Sequence, residues 1–292
     1  MEIYAKAKIN LGLDVLGLRP DGYHDICTVM QTISLYDIIH IEPAPHEGSA
    51  RRPEIHFTAD SPQVPSDSSN LVYRAAGLLM EEFGLNQALN IHLEKKIPVG
   101  AGMGGGSTDA AATLRGLNEL FALGLTDDDL MKRAARLGAD VPFCVMGGTA
   151  LAEGIGEILT PLPPLAACHF LIAKPPVSVS TKEAYGQLDT GRELKHPDMK
   201  RTIAAVRGAD LHELAASLSN IFEPGIRALH PEVGELAACI RSQGALTALM
   251  TGSGPTVFGI FESADTALRA RKTMSERFPQ AFLCIAVPDG AK

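Results

Sequence analysis

The sequence predicts an α+β protein with two domains. Segments with the alternation of strands and segments with the spacing of helices follow one another without a strict βαβ order. A chain of 292 residues is long enough for two domains. Pro161, Pro163 and Pro164 interrupt the pattern near its middle. We therefore expect an N-terminal domain at residues 1–160 and a C-terminal domain at residues 161–292.

The N-terminal half starts with alternating apolar residues, which predict strands, and continues with helical spacing that glycines interrupt. The first expected elements are a strand over 3–15, a turn over 17–23, a strand over 26–41, and proline-rich loops with short edge strands over 42–69. The next are a helix over 70–83, a strand over 88–97, a helix stopped by Gly124, a capped helix from Thr126 to Gly138, and an apolar strand over 141–145.

The C-terminal half repeats this mixture of patterns. Strands are predicted over 169–173, 245–250, 256–261 and 281–287, and helices over 211–220, 231–243 and 264–271. A second glycine-containing turn, Thr-Gly-Ser-Gly, covers residues 251–254.

Composition limits the classes of function. The chain is 46% hydrophobic and 21% charged, and its net charge is −8, which argues against general nucleic-acid binding. Five scattered cysteines without a CxxC pair are typical of a reducing compartment rather than of disulfides or zinc. No apolar run reaches the length of a signal peptide core or a membrane span. We expect a cytoplasmic protein without nucleic-acid or membrane partners, as a monomer or a weak homodimer.

The segment PVGAGMGGGSTDAAA, residues 98–112, carries the clearest chemical signal. It has five glycines between residues 100 and 106 and follows a predicted strand. Glycines let backbone N–H groups approach an anion closely, and Ser107, Thr108 and Asp109 are typical of a helix cap. The free N–H groups and the dipole of that helix favour the same anion. The segment therefore predicts a phosphate site.

Two familiar phosphate loops fit this segment less well. A P-loop needs a lysine after its glycines, and none follows here. Gly100, Gly102 and Gly105 match the Rossmann spacing, but the acidic stretch 127–129 that comes about 20 residues later better suits a helix start. A purely structural glycine loop remains the simplest alternative, and it accounts poorly for so many glycines beside a helix start.

Lysines and one aspartate supply the candidate reactive charges. Lys6 and Lys8 are two residues apart in one predicted strand, so their side chains are expected on the same face. The alternation therefore does not tell whether either lysine is solvated at a sheet edge or functional. Lys95 and Lys96 directly precede the glycine loop. Asp140, in LGADVPF, is either a turn-capping or solvated loop residue, or a carboxylate that takes the proton of an attacking hydroxyl or orients that hydroxyl. The sequence does not pair Lys8 with Asp140.

Other polar groups give weaker signals. Tyr23 and His24 follow a glycine turn, where an ordinary turn contact is the commoner role. The 251–254 turn is either a simple hairpin or a second anion cradle. No cluster has metal-ligand spacing, and neither Ser107 nor Ser253 has an identifiable histidine partner for a hydrolase triad.

Together these motifs resemble the GHMP kinase superfamily. PVGAGMGGGSTDAAA resembles its ATP phosphate loop, and TGSGPTVF at 251–258 resembles its third motif. The segments AKAKINLGLDVLGLRPDGYHDICTVMQTISLYD, SNLVYRAA, LGADVPF and AEGIGEILTPL resemble one branch of the superfamily over essentially the whole chain, and RPDGYH is the most discriminating of them. The resemblance implies a ribosomal-S5-like N-terminal domain, a ferredoxin-like C-terminal domain, and ligands in the cleft between them.

The resemblance also implies residue roles. It implies transfer of the ATP γ-phosphate to a hydroxyl of a cytidine-diphosphate-linked sugar alcohol, with Lys8 and Asp140 as the catalytic pair and Mg²⁺ expected with ATP, held by Ser107. The implied ATP-binding residues are Pro98, Val99, Gly100, Ala101, Gly102, Met103, Gly104, Gly105, Gly106, Ser107 and Thr108. The implied acceptor-binding residues are Asn10, Tyr23, His24, Thr181 and Tyr185. Another acceptor of the same superfamily, or a nucleotide-binding protein without activity, are the competing hypotheses.

Three positions depart from the branch's usual pattern. Thr108 keeps the hydroxyl of a frequent serine, and Tyr185 keeps the ring of a more usual phenylalanine. Pro255 stands where a small residue is usual and removes a backbone N–H that a ligand would otherwise use.

Overall fold

The first half of the chain forms a mixed sheet that carries its helices. The computed structural model describes residues 1–45, 54–188, 194–278, 280–287 and 290. The strands of this sheet are β1 (Glu2–Leu18), β2 (His24–Ala44), β3 (Ile55–Ala59), β4 (Ala88–Glu94), β5 (Thr149–Glu153) and β6 (Ile158–Leu162). Their order is β3-β4-β2-β5-β6, with β1 also paired to β2. β3 and β4 are parallel, and the other pairs are antiparallel.

Helices cover the apolar face of this sheet. They are α1 (Leu71–Phe83), α2 (Gly105–Leu120), α3 (Asp127–Ala134) and α4 (Val141–Met146). The first core joins these helices to β1, β2 and β4 through residues such as Leu79, Ile91 and Leu114. Gly116 of α2 has no side chain, and a Cβ there would lie 2.1 Å from Ile3 Cδ1, so this glycine permits a close approach of helix to strand.

The second half forms an antiparallel four-stranded sheet. Its strands are β7 (His169–Ala173), β8 (Thr247–Met250), β9 (Val257–Phe261) and β10 (Ala281–Ile285), in the order β10-β7-β9-β8. Its helices are α5 (Thr181–Gly186), α6 (Met199–Arg207), α7 (Leu211–Ser217), α8 (Glu223–Leu229), α9 (Pro231–Ser242) and α10 (Ala264–Arg277). The predicted α+β class is confirmed.

A shared apolar core joins the two sheets. Ile9 and Ile33 of the first sheet pack with Phe170 and Phe258 of the second. A backbone bond from Val287 N–H to the Thr32 carbonyl, 3.0 Å long, ties the C-terminal segment to β2. β6 ends at Leu162 and β7 begins at His169, so we propose the domain boundary between them, close to the predicted 160/161 division.

The prediction of a strand over 141–145 is wrong. These residues form α4, with Pro142 in the first turn. All five are buried. Because every residue of this short run is apolar, its pattern does not distinguish a buried strand from a buried helix. β3 lies in the 42–69 segment, where short edge strands were predicted, whereas the sequence patterns predicted no separate elements for β5, β6, α5, α6 and α8, which are short.

The predicted cap of the helix after the glycine loop is also misplaced. α2 begins at Gly105, its N-cap is Gly104 in the left-handed region, and no side chain caps it. Ser107, Thr108 and Asp109 therefore lie inside the first turns. Within the described residues, no helix is long and apolar enough to cross a membrane.

Candidate functional site

The glycine loop packs against the second glycine turn. Gly100, Gly102 and Gly104 have positive φ angles of 63°, 71° and 68°, which glycine adopts without a steric cost. A Cβ on Gly102 would lie 2.6 Å from the Thr251 carbonyl oxygen, and one on Gly252 would lie 2.8 Å from the Gly102 carbonyl oxygen. The two backbones touch, so the structure brings together motifs that are far apart in sequence.

The start of α2 faces the space above this loop. Because its N-terminus has no side-chain cap, its first N–H groups remain available for an anion. Ser107 borders the cavities on both sides of the loop. Thr108 is fully buried, and its hydroxyl donates to the Lys6 carbonyl at 2.6 Å. Ser107 rather than Thr108 is therefore the hydroxyl that a ligand can reach.

Lys8 and Asp140 lie side by side in the larger cavity. Their Nζ and Oδ2 atoms are 3.2 Å apart, and the Lys8 ammonium also donates to Asn10 Oδ1 at 2.9 Å. An irregularity in the β1–β2 register falls between Lys6 and Lys8, so the two lysines do not share an environment. Lys8 is buried, with its stem below Gly104. The structure thus distinguishes Lys8 from Lys6, which the alternation of the strand alone did not.

Asn10 links this pair to the second glycine turn. Its backbone N–H donates to Thr251 Oγ1 at 2.8 Å, and its side-chain amide donates to Thr28 Oγ1 at 2.8 Å. Thr28 in turn donates to the Gly12 carbonyl at 2.6 Å. The Asn10 side-chain oxygen is thereby held in one orientation toward Lys8. A fixed ammonium group beside a carboxylate can bind a phosphoryl oxygen while the carboxylate receives a proton.

Aromatic residues form the far wall of the cavity. Thr181 and Tyr185, both on α5, line it together with Phe222. The Tyr185 ring stacks on His24 with centroids 4.5 Å apart and meets the edge of Phe222 at 4.9 Å. Burial, and then the negative charge of Asp140, raises the pKa of the Tyr185 hydroxyl, which stays protonated. Tyr23 lies on the exposed turn before β2 and is 60% exposed.

Two cavities meet at the glycine loop. The larger, about 390 Å³, contains Lys8, Asn10, Asp140 and the α5 residues. The other, about 350 Å³, lies on the opposite side of the loop and reaches α1 and the segment before it. It adds Gln63, Val64, Asn70 and Leu71, which the sequence reading missed because their pattern is that of a loop and a helix start. A ligand crossing the loop would contact both cavities.

Lys95 borders the second cavity, as its position before the glycine loop predicts, but two carboxylates balance its charge there. It is buried between two carboxylates, with Nζ 2.5 Å from Asp37 Oδ2 and 2.6 Å from Asp109 Oδ2. The other Asp37 oxygen accepts the N–H groups of Lys96 and Ile97 at 2.6 and 2.7 Å. This Asp37–Lys95–Asp109 cluster therefore anchors the strand end before the loop to the helix after it.

The cluster holds two carboxylates against one ammonium group. Asp37 accepts three hydrogen bonds, whereas Asp109 Oδ1 has no partner among the described residues. Burial, opposed by Lys95 and reinforced by the negative charge of Asp37, raises the pKa of Asp109 well above its ordinary value. The raised pKa means that the Asp109 carboxyl group keeps a proton to a higher pH than an ordinary aspartate does.

A side-chain oxygen near the loop is suited to bind a Mg²⁺ ion that is bound together with a nucleotide. The described residues contain no group of three or more His, Cys, Asp or Glu side chains placed to bind a metal. Ser107 borders the cavity that also contains Asp140. Mg²⁺ is usually held by one or two protein oxygens together with substrate phosphates and water, and the Ser107 hydroxyl can be one such oxygen.

Comparison with known proteins identifies the class. The family models of the GHMP kinases match the chain twice, the N terminal domain at residues 70–148 and the C terminal domain at residues 202–280. The chain belongs to the GHMP kinase family.

Curated relatives narrow this class to one group. A 4-diphosphocytidyl-2-C-methyl-D-erythritol kinase of Lachnoclostridium phytofermentans is 48% identical over 92% of this chain and 91% of its own length. The corresponding kinase of Caldicellulosiruptor bescii is 46% identical over 94% of each chain. Within the GHMP kinases, the chain belongs to the 4-diphosphocytidyl-2-C-methyl-D-erythritol kinases.

Solved structures agree with this assignment. A crystal structure of 4-(cytidine 5'-diphospho)-2C-methyl-D-erythritol kinase is 35% identical, covers 98% of this chain and 99% of its own, and has a TM-score of 0.81. The homoserine kinase of Cytophaga hutchinsonii has a TM-score of 0.80 at 22% identity, over 100% of this chain and 96% of its own. That second likeness concerns the fold alone.

Proposed function

We propose that this chain transfers the γ-phosphate of ATP to the 2-hydroxyl of 4-diphosphocytidyl-2-C-methyl-D-erythritol, a step of the non-mevalonate isoprenoid pathway. The observation that carries the proposal is the larger cavity, where the glycine loop, the Lys8–Asp140 pair and the aromatic wall meet. The names of relatives at 43–48% identity support the choice of acceptor.

ATP is the phosphate donor of this enzyme class, and we propose that it spans both cavities. The nucleoside occupies the cavity bounded by Gln63, Asn70 and Leu71. The phosphates lie over residues 98–108, where the start of α2 and the glycine N–H groups face them. The γ-phosphate then extends across the loop toward Lys8, the cation of the larger cavity's lining.

The acceptor occupies the other side of the larger cavity. We propose that its cytosine stacks against the His24–Tyr185 pair, with the exposed Tyr23 next to His24 in the chain, since a base and an aromatic ring attract through their faces. Asn10 and Thr181 offer hydrogen bonds to its sugar alcohol. Its 2-hydroxyl is thereby brought to Asp140.

The transfer step needs an in-line approach of this hydroxyl to the γ-phosphorus. The hydroxyl oxygen forms the new P–O bond, the bond to the β-phosphate oxygen breaks, and ADP leaves with that electron pair. The hydroxyl proton passes to Asp140, either to the carboxylate acting alone or with Lys8 assisting. Lys8, fixed by Asn10, faces the charge on the transferring group.

A Mg²⁺ ion bound with ATP would neutralise phosphate charge, and we propose that the Ser107 hydroxyl helps to hold it. We also propose that the protein works in the cytoplasm as a monomer or a weak homodimer. The five cysteines are free thiols, which supports a reducing compartment.

A panel assay tests the proposed function. Purified protein with ATP and Mg²⁺ is offered the cytidine-diphosphate compound, mevalonate and homoserine in turn, and ADP release is followed. We expect turnover with the first compound alone. Turnover with mevalonate or homoserine would favour another GHMP kinase specificity. Absence of ADP release with all three would favour a nucleotide-binding protein without activity.

A further inference from the structure

Asn220 touches three parts of the site without lining either cavity. It is buried in the connection between α7 and α8. Its side-chain amide donates to the Met250 and Gly252 carbonyl oxygens, each at 2.8 Å, and its side-chain oxygen accepts the Phe222 N–H at 3.0 Å. These three side-chain hydrogen bonds reach the end of β8, the second glycine turn and the aromatic wall.

The backbone around Asn220 is tied to the strand that carries Lys8. Leu13 N–H donates to the Ser219 carbonyl at 3.1 Å, and Ile221 N–H donates to the Leu13 carbonyl at 3.0 Å. Asn220 therefore does not move independently of β1. It connects the second glycine turn to the strand that carries Lys8.

The bond to Gly252 determines where the next peptide N–H points. The Gly252–Ser253 peptide is trans, so its C=O and N–H point in opposite directions. With the carbonyl held by Asn220, the Ser253 N–H points away from Asn220. Ser253 lines the larger cavity, and its N–H has no hydrogen-bond partner in the described part of the chain.

Glu223 and Thr251 restrain the same turn from other directions. Glu223 Oε2 accepts the Met250 N–H at 3.2 Å, and Thr251 Oγ1 accepts the Asn10 N–H at 2.8 Å. The start of the turn is thus held from two directions, while the Ser253 N–H has no partner among the described residues. A prearranged donor of this kind is what stabilises a phosphate oxygen in a catalytic site.

We propose that Asn220 is a positioning residue that aims the Ser253 N–H at a phosphate oxygen of the bound ligands. The proposal rests on the proposed function, since the phosphate belongs either to the transferring group of ATP or to the diphosphate of the acceptor. Asn220 itself contacts neither ligand.

Steady-state kinetics of Asn220→Asp test the proposal. This substitution keeps the shape but places an oxygen, in place of the donating amide nitrogen, against two carbonyl oxygens. The matched control is Asn118→Asp, because Asn118 bridges Leu125 N–H and C=O in the same way at the far end of α2. We expect kcat/KM to fall 10- to 100-fold for Asn220→Asp and to stay at the wild-type value for Asn118→Asp, with similar shifts in Tm.

The kinetic parameter that changes identifies the phosphate. A loss confined to the KM of the acceptor assigns the Ser253 N–H to the acceptor diphosphate. A loss in kcat or in the KM of ATP assigns it to the transferring group. Equal kinetics in the two variants would overturn the proposal. A wild-type protein that is inactive on the cytidine-diphosphate compound would instead contradict the proposed function.

An NMR titration tests the donor directly and does not depend on activity. The Ser253 amide proton of the wild-type protein is followed while CDP, or a non-hydrolysable ATP analogue with Mg²⁺, is added. We expect a downfield shift with one of the two ligands, and its loss in Asn220→Asp. A Ser253 amide that neither ligand moves would overturn the proposal even if Asn220→Asp fails to fold.

Discussion

The carboxylate of Asp140 is available for chemistry because the helix that follows does not use it. Asp140 is the N-cap of α4, yet its side chain makes no capping bond. It turns toward Lys8 and remains one-third exposed, while the Lys8 side chain is almost completely buried. An aspartate beside a helix start usually bonds to the first N–H groups. Its departure from that role supports the functional interpretation.

Substitution of either member of this pair is expected to lower kcat. Asp140→Asn removes the proton acceptor, and Lys8→Met removes the cation beside the transferring group, so each should cost about 10²- to 10⁴-fold. The ATP dissociation constant should change little, since the glycine loop and α2 are untouched. The exposed Asp127→Asn and Lys132→Met serve as controls. Wild-type turnover in either site variant would contradict the role of that residue.

His24→Ala tests the aromatic wall. Its ring stacks on Tyr185 at 4.5 Å, so its loss should loosen the wall and raise the KM of the acceptor by about tenfold, with a smaller effect on the KM of ATP. His92→Ala, an exposed histidine on β4, is the matched control. A larger increase in the KM of ATP than in the KM of the acceptor would contradict the assignment of His24 to the acceptor-binding side.

At the scale of elements, the glycine loop works as part of a contact between two turns. Gly102 and Gly252 each approach the backbone of the other turn more closely than a Cβ permits. The cluster of Asp37, Lys95 and Asp109 connects the segment before the loop to the helix after it. The position of the loop therefore depends on strands and helices from both halves of the chain.

Two glycines with similar φ angles make it possible to measure the effect of backbone strain separately from the effect of the contact between the two turns. Gly102→Ala combines a positive φ with a Cβ 2.6 Å from the Thr251 carbonyl, whereas Gly84→Ala has a φ of 61° and open space around its Cβ. We expect Gly84→Ala to lower the free energy of unfolding by about 1 kcal/mol with unchanged kinetics. Gly102→Ala should displace the second turn and weaken ATP binding or turnover. Equal kinetics in the two variants, measured beside their Tm values, would contradict the turn-to-turn contact.

At the scale of the molecule, the buried carboxyl group of Asp109 is expected to make stability depend on pH. Asp109 has a raised pKa in the folded protein. Between the ordinary and the raised value the folded state binds more protons than the unfolded state, so the free energy of unfolding falls as pH rises. Over that window the slope for one such group is about 1.4 kcal/mol per pH unit.

Asp109→Asn removes this group. The free energy of unfolding of Asp109→Asn minus that of the wild type should therefore increase from about pH 4 upward, as measured by urea unfolding across a pH series. The exposed Asp128→Asn controls for the loss of one negative charge. Parallel curves for the wild type and Asp109→Asn would show that Asp109 holds no proton in the folded state.

Much of the fold could be predicted from the sequence where one face of an element is buried. β1, β2, α1 and α3 follow their hydrophobic periods; Gly84 ends α1 and Thr126 caps the start of α3, which ends at Ala134, before the predicted Gly138. Prediction failed for α4, where every residue is apolar, and for the start of α2, where glycine replaces a side-chain cap. Those outcomes depend on surroundings that a local pattern does not contain.

The sequence by itself determined the residue types of the site: a phosphate loop, a lysine, a carboxylate and aromatic rings. Only the tertiary structure decided that Lys8 meets Asp140, that Lys95 is enclosed by two carboxylates, and that Asn220 holds the second glycine turn. The physical reason is that periodicity reports which face of its own element a side chain occupies. Partners far apart along the chain meet only when sheets and helices pack around a shared core.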